Sequence, residues 1–300
     1  MPAVSTERKV WTILDMLQWG TTYLADRGFD ESRLTTELLL AHILQCKRID
    51  LYTKFDKPLN EAELASFKTA FKRRLEHEPL QYIVGETEFM GLKFFVDPRV
   101  LIPRPETETL VEAAVEICSN RLAHQQQVRV LDIGTGSGCV AVSLAKMIPA
   151  AKVLAIDKSA DAVEVAKRNA EENHTVDRIE FTHLDIVQIP QKNFSEKFHL
   201  IVSNPPYISN REFSELPPEI RDYEPRFALT DEGDGLGFYR FCSSVAKSFL
   251  EPNGVVLVEH AFNQADEVER VFRSAGWKQI EKRKDYSGNF RCLIAAMEGE

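Results

Sequence analysis

"VRVLDIGTGSG", residues 128–138, decides the fold. Val128, Val130, Leu131 and Ile133 form a short apolar run that gives way at once to glycines at 134, 136 and 138, and a helical segment, Cys139 to Met147, follows. A strand that turns on glycine into a helix is the opening of a βαβ unit. The same alternation continues outward. "AKVLAID" (151–157) reads as a strand, Ala160 to Asn173 as a helix, and "IEFTHLD" (179–185) and "FHLIVSN" (198–204) as strands. A helix over Phe238 to Phe249, the strand "GVVLVEH" (254–260), a helix over Gln264 to Ser274 and strands near Lys278–Lys284 and Arg291–Met297 complete the series. Strands interleaved with helices at this spacing predict an α/β fold, a doubly wound, mostly parallel Rossmann-like sheet.

Upstream the pattern changes to helices. "NEAELASFKTAFKRRLEHEP" opens with Asn60 and Glu63 in capping-box positions, puts Leu64, Phe67, Phe71 and Leu75 on one face, and stops before Pro79. "VWTILDMLQWGTTYL" and "DESRLTTELLLAHILQC" carry similar periods, so a small helical bundle is expected over 1–84. Lys72, Arg73 and Arg74 are expected on its solvated charged face. β-forming residues on both sides of Gly91 predict a hairpin within a linker, 85–105, and a helix starting near Glu106 opens the larger domain, 106–300.

Composition narrows the function. The chain has 300 residues, 44% of them hydrophobic, with no apolar run long enough for a membrane span and a polar N-terminus, so a cytoplasmic protein is expected. Its five cysteines are scattered without a CxxC pair and its seven histidines without metal-ligand spacing, which argues for free thiols and against a metal site. Residues 1–85 carry 12 Lys+Arg and 12 Asp+Glu, so the whole net charge of −9 belongs to the rest of the chain. An acidic body disfavours direct binding to nucleic acid.

In open parallel sheets ligands sit at the carboxyl ends of strands, and four consecutive strands here end in polar or glycine-rich residues. Gly134, Thr135, Gly136, Ser137 and Gly138 bring backbone close to a ligand at a helix N-terminus. GxGxG differs from the GxGxxG of dinucleotide sites, and Asp132 inside the turn repels a pyrophosphate while suiting a cationic or zwitterionic ligand. Asp157, closing the second strand, stands where a ribose diol is gripped, with a helix N-cap as its competing role. Asp185 follows the third strand, placed to accept from an adenine amine. Together these describe a nucleoside cofactor without a phosphate chain, namely S-adenosylmethionine.

"SNPPYIS" (203–209) ends the fourth strand. Methyl transfer from a sulfonium is an in-line displacement, so catalysis rests on alignment of the acceptor. A planar NH2 group has its lone pair delocalised, and two acceptors on its hydrogens hold it. The Asn204 side-chain oxygen and the Pro205 carbonyl supply them, Pro205 and Pro206 keep that carbonyl outside any ladder, and Tyr207 offers a flat face. These four residues suit a glutamine amide or an adenine equally.

With these motifs the chain resembles the class I S-adenosylmethionine-dependent methyltransferases that carry NPPY, and within them the protein-(glutamine-N5) methyltransferases of peptide chain release factors. The likeness rests on "EPLQYIVGETEF", "LIPRPETE", "LDIGTGSG", "VSNPPYI", "YEPRFAL", "DGLGFYR", the "EH" at 259–260 and "DYSGNFR". It implies a helical N-terminal domain that helps hold a release factor, and methylation of the glutamine in its Gly-Gly-Gln loop. Carried over, residues 134–138 line the methionine part of the cofactor, Asp157 the ribose, Asp185 the adenine side, and Asn204 to Tyr207 the glutamine amide. "IPRPETE" is expected near the cofactor, with Arg104 or Glu106 in contact or in a domain-linking role, and "YEPRFAL", with Glu224 and Arg226, along one wall of the substrate channel; no individual role is assigned to the four. A methyltransferase for a ribosomal-protein glutamine and an adenine-N6 nucleic-acid methyltransferase are the alternatives.

Overall fold

A computed structural model describes residues 10–191 and 197–296, and the chain divides after Gly85 into two compact units. Met297, at the end of the last expected strand, lies outside the described residues.

The first unit is helical: α1 (Ile13–Ala25), α2 (Ser32–Ile43), α3 (Asp50–Thr53), α4 (Glu61–Leu75) and α5 (Leu80–Val84). The start of α4 is set by the reciprocal bonds of a capping box, Glu63 N–H to Asn60 Oδ1 and Asn60 N–H to Glu63 Oε2, both 2.8 Å. Phe67 and Phe71 are buried in one cluster with Ile13, Leu24, Leu39 and Leu40. Each such side chain, fully buried, contributes about 1.5–3 kcal/mol. The basic run is not a uniform charged face. Lys72 is exposed, but Arg73 pairs with Glu78 and Arg74 is buried, its guanidinium 4.9 Å over the Phe29 ring and bonded to the Glu78 carbonyl.

The second unit opens with a hairpin, β1 (Glu86–Phe89) and β2 (Leu92–Phe95). Met90 and Gly91, both at positive φ, form the two-residue turn that matches strand twist. Phe89 and Phe94 enter the second unit's core. The buried Asn169 fastens this hairpin to the glycine turn: its Oδ1 accepts from Phe95 N–H at 2.7 Å, and its Nδ2 donates to the Phe95 and Ser137 carbonyls.

Seven further strands form one sheet: β3 (Val128–Ile133), β4 (Ala151–Asp157), β5 (Ile179–His183), β6 (Phe198–Ser203), β7 (Leu250–Glu259), β8 (Gln279–Lys284) and β9 (Phe290–Ala296). Their order is β5-β4-β3-β6-β7-β9-β8, parallel from β5 to β7, with β9 antiparallel to both neighbours. The helices are α6 (Glu108–Arg121), α7 (Cys139–Met147), α8 (Ala160–Glu172), three single-turn helices α9 (Asn210–Phe213), α10 (Pro218–Arg221) and α11 (Arg226–Leu229), then α12 (Gly237–Phe249) and α13 (Ala265–Ser274). Alternate strand residues serve opposite layers. Val130, Leu200, Val202, Val255 and Leu257 pack with α6 and α7, whereas Leu131, Ile133, Ile201, Val256 and Val258 pack with α12 and α13.

Every residue of β6 is buried, the polar His199 and Ser203 included, as in a parallel strand covered on both faces. The strand order changes direction between β3 and β6, and that switch point opens the crevice in which the strand-end residues meet. Among the described residues no helix is long and apolar enough to cross a membrane.

Candidate active site

A cavity of about 570 Å³ lies at the carboxyl ends of β3, β4, β5 and β6. Gly134, Thr135, Gly136, Ser137, Asp157, Asp185, Asn204 and Pro206 line it. Gly138, Pro205 and Tyr207, which the sequence grouped with them, are not among the lining residues.

The glycine turn is held by β4. Gly134 and Thr135 donate their N–H groups to the Ile156 carbonyl, at 2.9 and 3.0 Å. Gly134, at φ +74°, has nothing within 4 Å of the position a Cβ would take, so the backbone there faces open space. Gly138 is different. At φ +80°, a Cβ on it would lie 3.0 Å from Ala166 Cβ and 3.2 Å from Ala166 Cα, so this glycine lets α7 start close against α8.

Asp157 is 6% exposed and already engaged. Its Oδ2 accepts from Gly136 N–H and its Oδ1 from Ser159 N–H, both at 2.9 Å. Burial raises its pKa, and these two bonds oppose the rise. The N-cap of α8 is Ser159, whose Oγ accepts from Ala162 N–H at 3.2 Å, so Asp157 braces the helix start and the turn while keeping a lone pair on each oxygen for the cavity. Asp185 is half-buried, with Oδ1 accepting from Val187 N–H at 3.1 Å.

Asp132 is 1% exposed and lines the same cavity; burial pushes its carboxyl up to about 7, with the Asp157 charge adding to the rise. Its Oδ2 and the Thr135 Oγ1 both lie in the buried floor without a hydrogen bond of normal geometry. Thr135 and the Ala141 backbone are the polar neighbours that hold the Asp132 pKa down, and an open glycine backbone beside this buried carboxyl suits a positively charged or amine-bearing ligand.

At the end of β6, Asn204 Nδ2 donates to Thr107 Oγ1 at 3.1 Å, which leaves Oδ1 as the amide's open acceptor. Among the described residues none donates a hydrogen bond to that oxygen or to the Pro205 carbonyl. Tyr207 is held by two polar contacts. Its hydroxyl lies 3.4 Å from Glu259 Oε1, its carbonyl accepts from Gln264 Nε2 at 2.9 Å, and burial raises its pKa. The loop of "DGLGFYR" packs on it: a Cβ on Gly235 would sit 2.3 Å from the Tyr207 carbonyl oxygen. Asp231 orders that loop by accepting from the N–H groups of Gly233, Gly235 and Gly237.

The residues left unassigned now separate. Arg104 lines the cavity and its guanidinium bonds Glu224 Oε1 at 2.5 Å; Glu224 is 5% exposed, does not line the cavity, and carries a pKa raised by burial against the pull of Arg104. Arg226 lies 4.2 Å over the Phe213 ring and bonds Asn210 and Glu232, bracing the wall behind the cavity. Glu106 is not among the lining residues.

Thr107, Phe227 and Phe238 were quoted only inside motifs of the resemblance, with "YEPRFAL" expected along one wall of the substrate channel, and Phe241 was not singled out; all four line the cavity. Glu259 was also quoted only as part of the resemblance, although it is the last residue of β7 and the strand-end rule applies to it directly.

Residues 15–85 match the model of the PrmC N-terminal domain and residues 108–216 that of the methyltransferase small domain. The chain is 43% identical over 95% of its length to the release factor glutamine methyltransferase of Geobacter sulfurreducens, covering 96% of that protein, and 41% identical to the same-named protein of Chlorobaculum tepidum, covering 94% and 96%. A bifunctional methyltransferase of Rickettsia felis is 36% identical over 95% of this chain and 58% of its own length. Among solved structures, the hMettl16 catalytic domain in complex with MAT2A 3′UTR hairpin 6 shares the fold, with a TM-score of 0.53 at 17% identity over 82% of this chain and 86% of that one. With near-complete coverage at this identity, the chain belongs to the release factor glutamine methyltransferase family.

Proposed function

We propose that this protein is an S-adenosylmethionine-dependent protein-(glutamine-N5) methyltransferase that acts in the cytoplasm on the glutamine of the Gly-Gly-Gln loop of peptide chain release factors. The observation that carries this reading is the acceptor geometry at Asn204: its amide oxygen, on a residue that lines the cavity, and the carbonyl of the next residue, Pro205, both without donors among the described residues. The cofactor, when bound, supplies an electrophilic methyl group on a positively charged sulfur.

The remaining work belongs to the chain. Gly134, Thr135, Gly136 and Ser137 present backbone to the methionine part, and the buried Asp132 carboxyl lines the same cavity, suited to its positive charge. Asp157, already braced by two backbone donors, offers its free lone pairs to the ribose hydroxyls, and Asp185 stands on the adenine side. Asn204 Oδ1 and the Pro205 carbonyl each accept one N–H of the glutamine amide, which fixes the nitrogen's position and favours its pyramidalisation. Pro206 lines the cavity, and Tyr207 contributes through its hydroxyl and carbonyl. The helical unit over 1–84 is proposed to hold the release factor, with the methyltransferase domain following the hairpin.

The test is incubation with labelled S-adenosylmethionine, a release factor, and the same factor with its loop glutamine changed to alanine. Label is expected in the first and not in the second. Equal labelling of both, or label only in added DNA, overturns the substrate assignment.

A further inference from the structure

The acceptor role of Asn204 needs its side-chain amide to be turned one way. Oxygen and nitrogen of an amide are nearly the same size, so packing alone does not choose between them; a hydrogen-bond partner must. The partner is Thr107, 1% exposed, in the single turn of 3₁₀ helix that precedes α6. A hydroxyl is both donor and acceptor, so it selects the amide only if its own hydrogen is committed elsewhere. Glu259, also 1% exposed, is the buried carboxylate beside it: its Oε1 lies 3.4 Å from the Tyr207 hydroxyl, its Oε2 is buried without a hydrogen bond of normal geometry, and Thr107 is among the side chains that hold its pKa down.

We propose that Thr107 and Glu259 are positioning residues for methyl transfer: the Glu259 carboxylate takes the Thr107 hydrogen, and Thr107 oxygen thereby accepts from Asn204 Nδ2 and turns Oδ1 towards the substrate amide. The proposal rests on the function proposed above. It also gives "DYSGNFR" a task. Arg291 is tied to Asp285 at 2.9 Å, and its positive charge favours the ionised form of Glu259.

The relay has a built-in sign. A protonated Glu259 donates to Thr107 instead of accepting, the Thr107 hydrogen swings to Asn204, and the amide presents NH2 to an incoming NH2. Every group facing Glu259 bears on when this happens. Burial raises its pKa to about 7; Thr107, Arg291 from β9 and the Tyr207 hydroxyl oppose the rise, and Glu106 adds to it. Cys139 of α7, Tyr239 of α12 and Cys292 of β9 also lie within its field, all three held in their neutral forms by burial. Transfer is therefore expected to rise with pH through the neutral range, the direction in which Glu259 ionises.

The test measures kcat against pH at saturating cofactor and release factor, with cofactor affinity followed by calorimetry. Wild-type kcat is expected to climb with a single ionisation near neutrality. Thr107→Val and Glu259→Gln are expected to lower kcat by about tenfold to a hundredfold with cofactor affinity held within about twofold, the scale of a misplaced reacting group. Glu259→Gln is expected to lose the pH limb, and Thr107→Ser, which restores the hydroxyl, to recover most of the loss seen in Thr107→Val. Wild-type kcat and pH limb retained in either Thr107→Val or Glu259→Gln overturn the inference alone. A wild-type enzyme that leaves the release factor unlabelled overturns the parent reading and this one with it.

Discussion

The two halves of the cavity are built by different means. The cofactor half, at the ends of β3 and β4, is made from backbone: glycines in left-handed conformation, N–H groups donated to the Ile156 carbonyl, and an Asp157 that accepts two more. All its members lie within about thirty residues of one another, in one βαβ unit. The acceptor half, at the ends of β6 and β7, is made from side chains drawn from distant segments, Thr107, Asn204, Tyr207 and Glu259, with Arg291 behind. The first half offers shape and backbone groups. The second depends on the direction of single hydrogen bonds.

The largest expected effect tests the side-chain half. Asn204→Ala is expected to lower methyl transfer by about two to three orders of magnitude, the usual consequence of removing a transition-state hydrogen bond. Cofactor affinity, measured by calorimetry, stays close to wild type. If affinity and transfer fall together, the two halves are not separable as described.

Asp157→Ala should do the converse. With the proposed ribose contact and the bonds to Gly136 and Ser159 lost, cofactor affinity is expected to drop about tenfold to a hundredfold. Transfer at saturating cofactor is expected to fall far less.

Within the backbone half, two glycines are expected to part company. Gly138→Ala forces a Cβ against Ala166 and should cost about 1–3 kcal/mol in stability, read by denaturant unfolding. Gly134→Ala meets no neighbour, so its cost is the left-handed strain of about 1–2 kcal/mol, and its mark is weaker cofactor binding.

The smallest effect concerns Asp132. Its carboxyl is pushed up to about 7 by burial, above its range in an unfolded chain, so the folded state holds the proton more tightly. The stability it contributes is complete below the ordinary carboxylate range and is lost as pH rises through about 7. Asp132→Asn is accordingly expected to be more stable than wild type at pH 8, with the difference shrinking as pH falls towards 4, read by denaturant unfolding at the two pH values. The same variant should bind cofactor more weakly, showing that the charge is kept for the ligand.

Legibility in the sequence follows the same division. Strands β3, β4 and β6, the helix after the glycine turn, and the capping box at Asn60 were readable because each depends on residues within a few positions of one another. Tyr207 was legible as a member of the motif, but the partners of its hydroxyl and carbonyl, Glu259 and Gln264, were not. Arg74 read as part of a solvated run and is buried against Phe29. In both cases the deciding partner is tens of residues away.

Taken by itself, the sequence determined the alternation of elements, the class of sheet, the glycine turn and the positions of the strand-end residues, because local propensity and hydrophobic period are properties of short segments. Only the tertiary structure decided that Gly138 serves packing, that Arg104 and Glu224 pair beside the cavity, and that Thr107 stands between Asn204 and Glu259. The physical reason is that the direction of a buried hydrogen bond depends on which group the chain brings to its other end, and four strands and a helix must assemble before that group arrives.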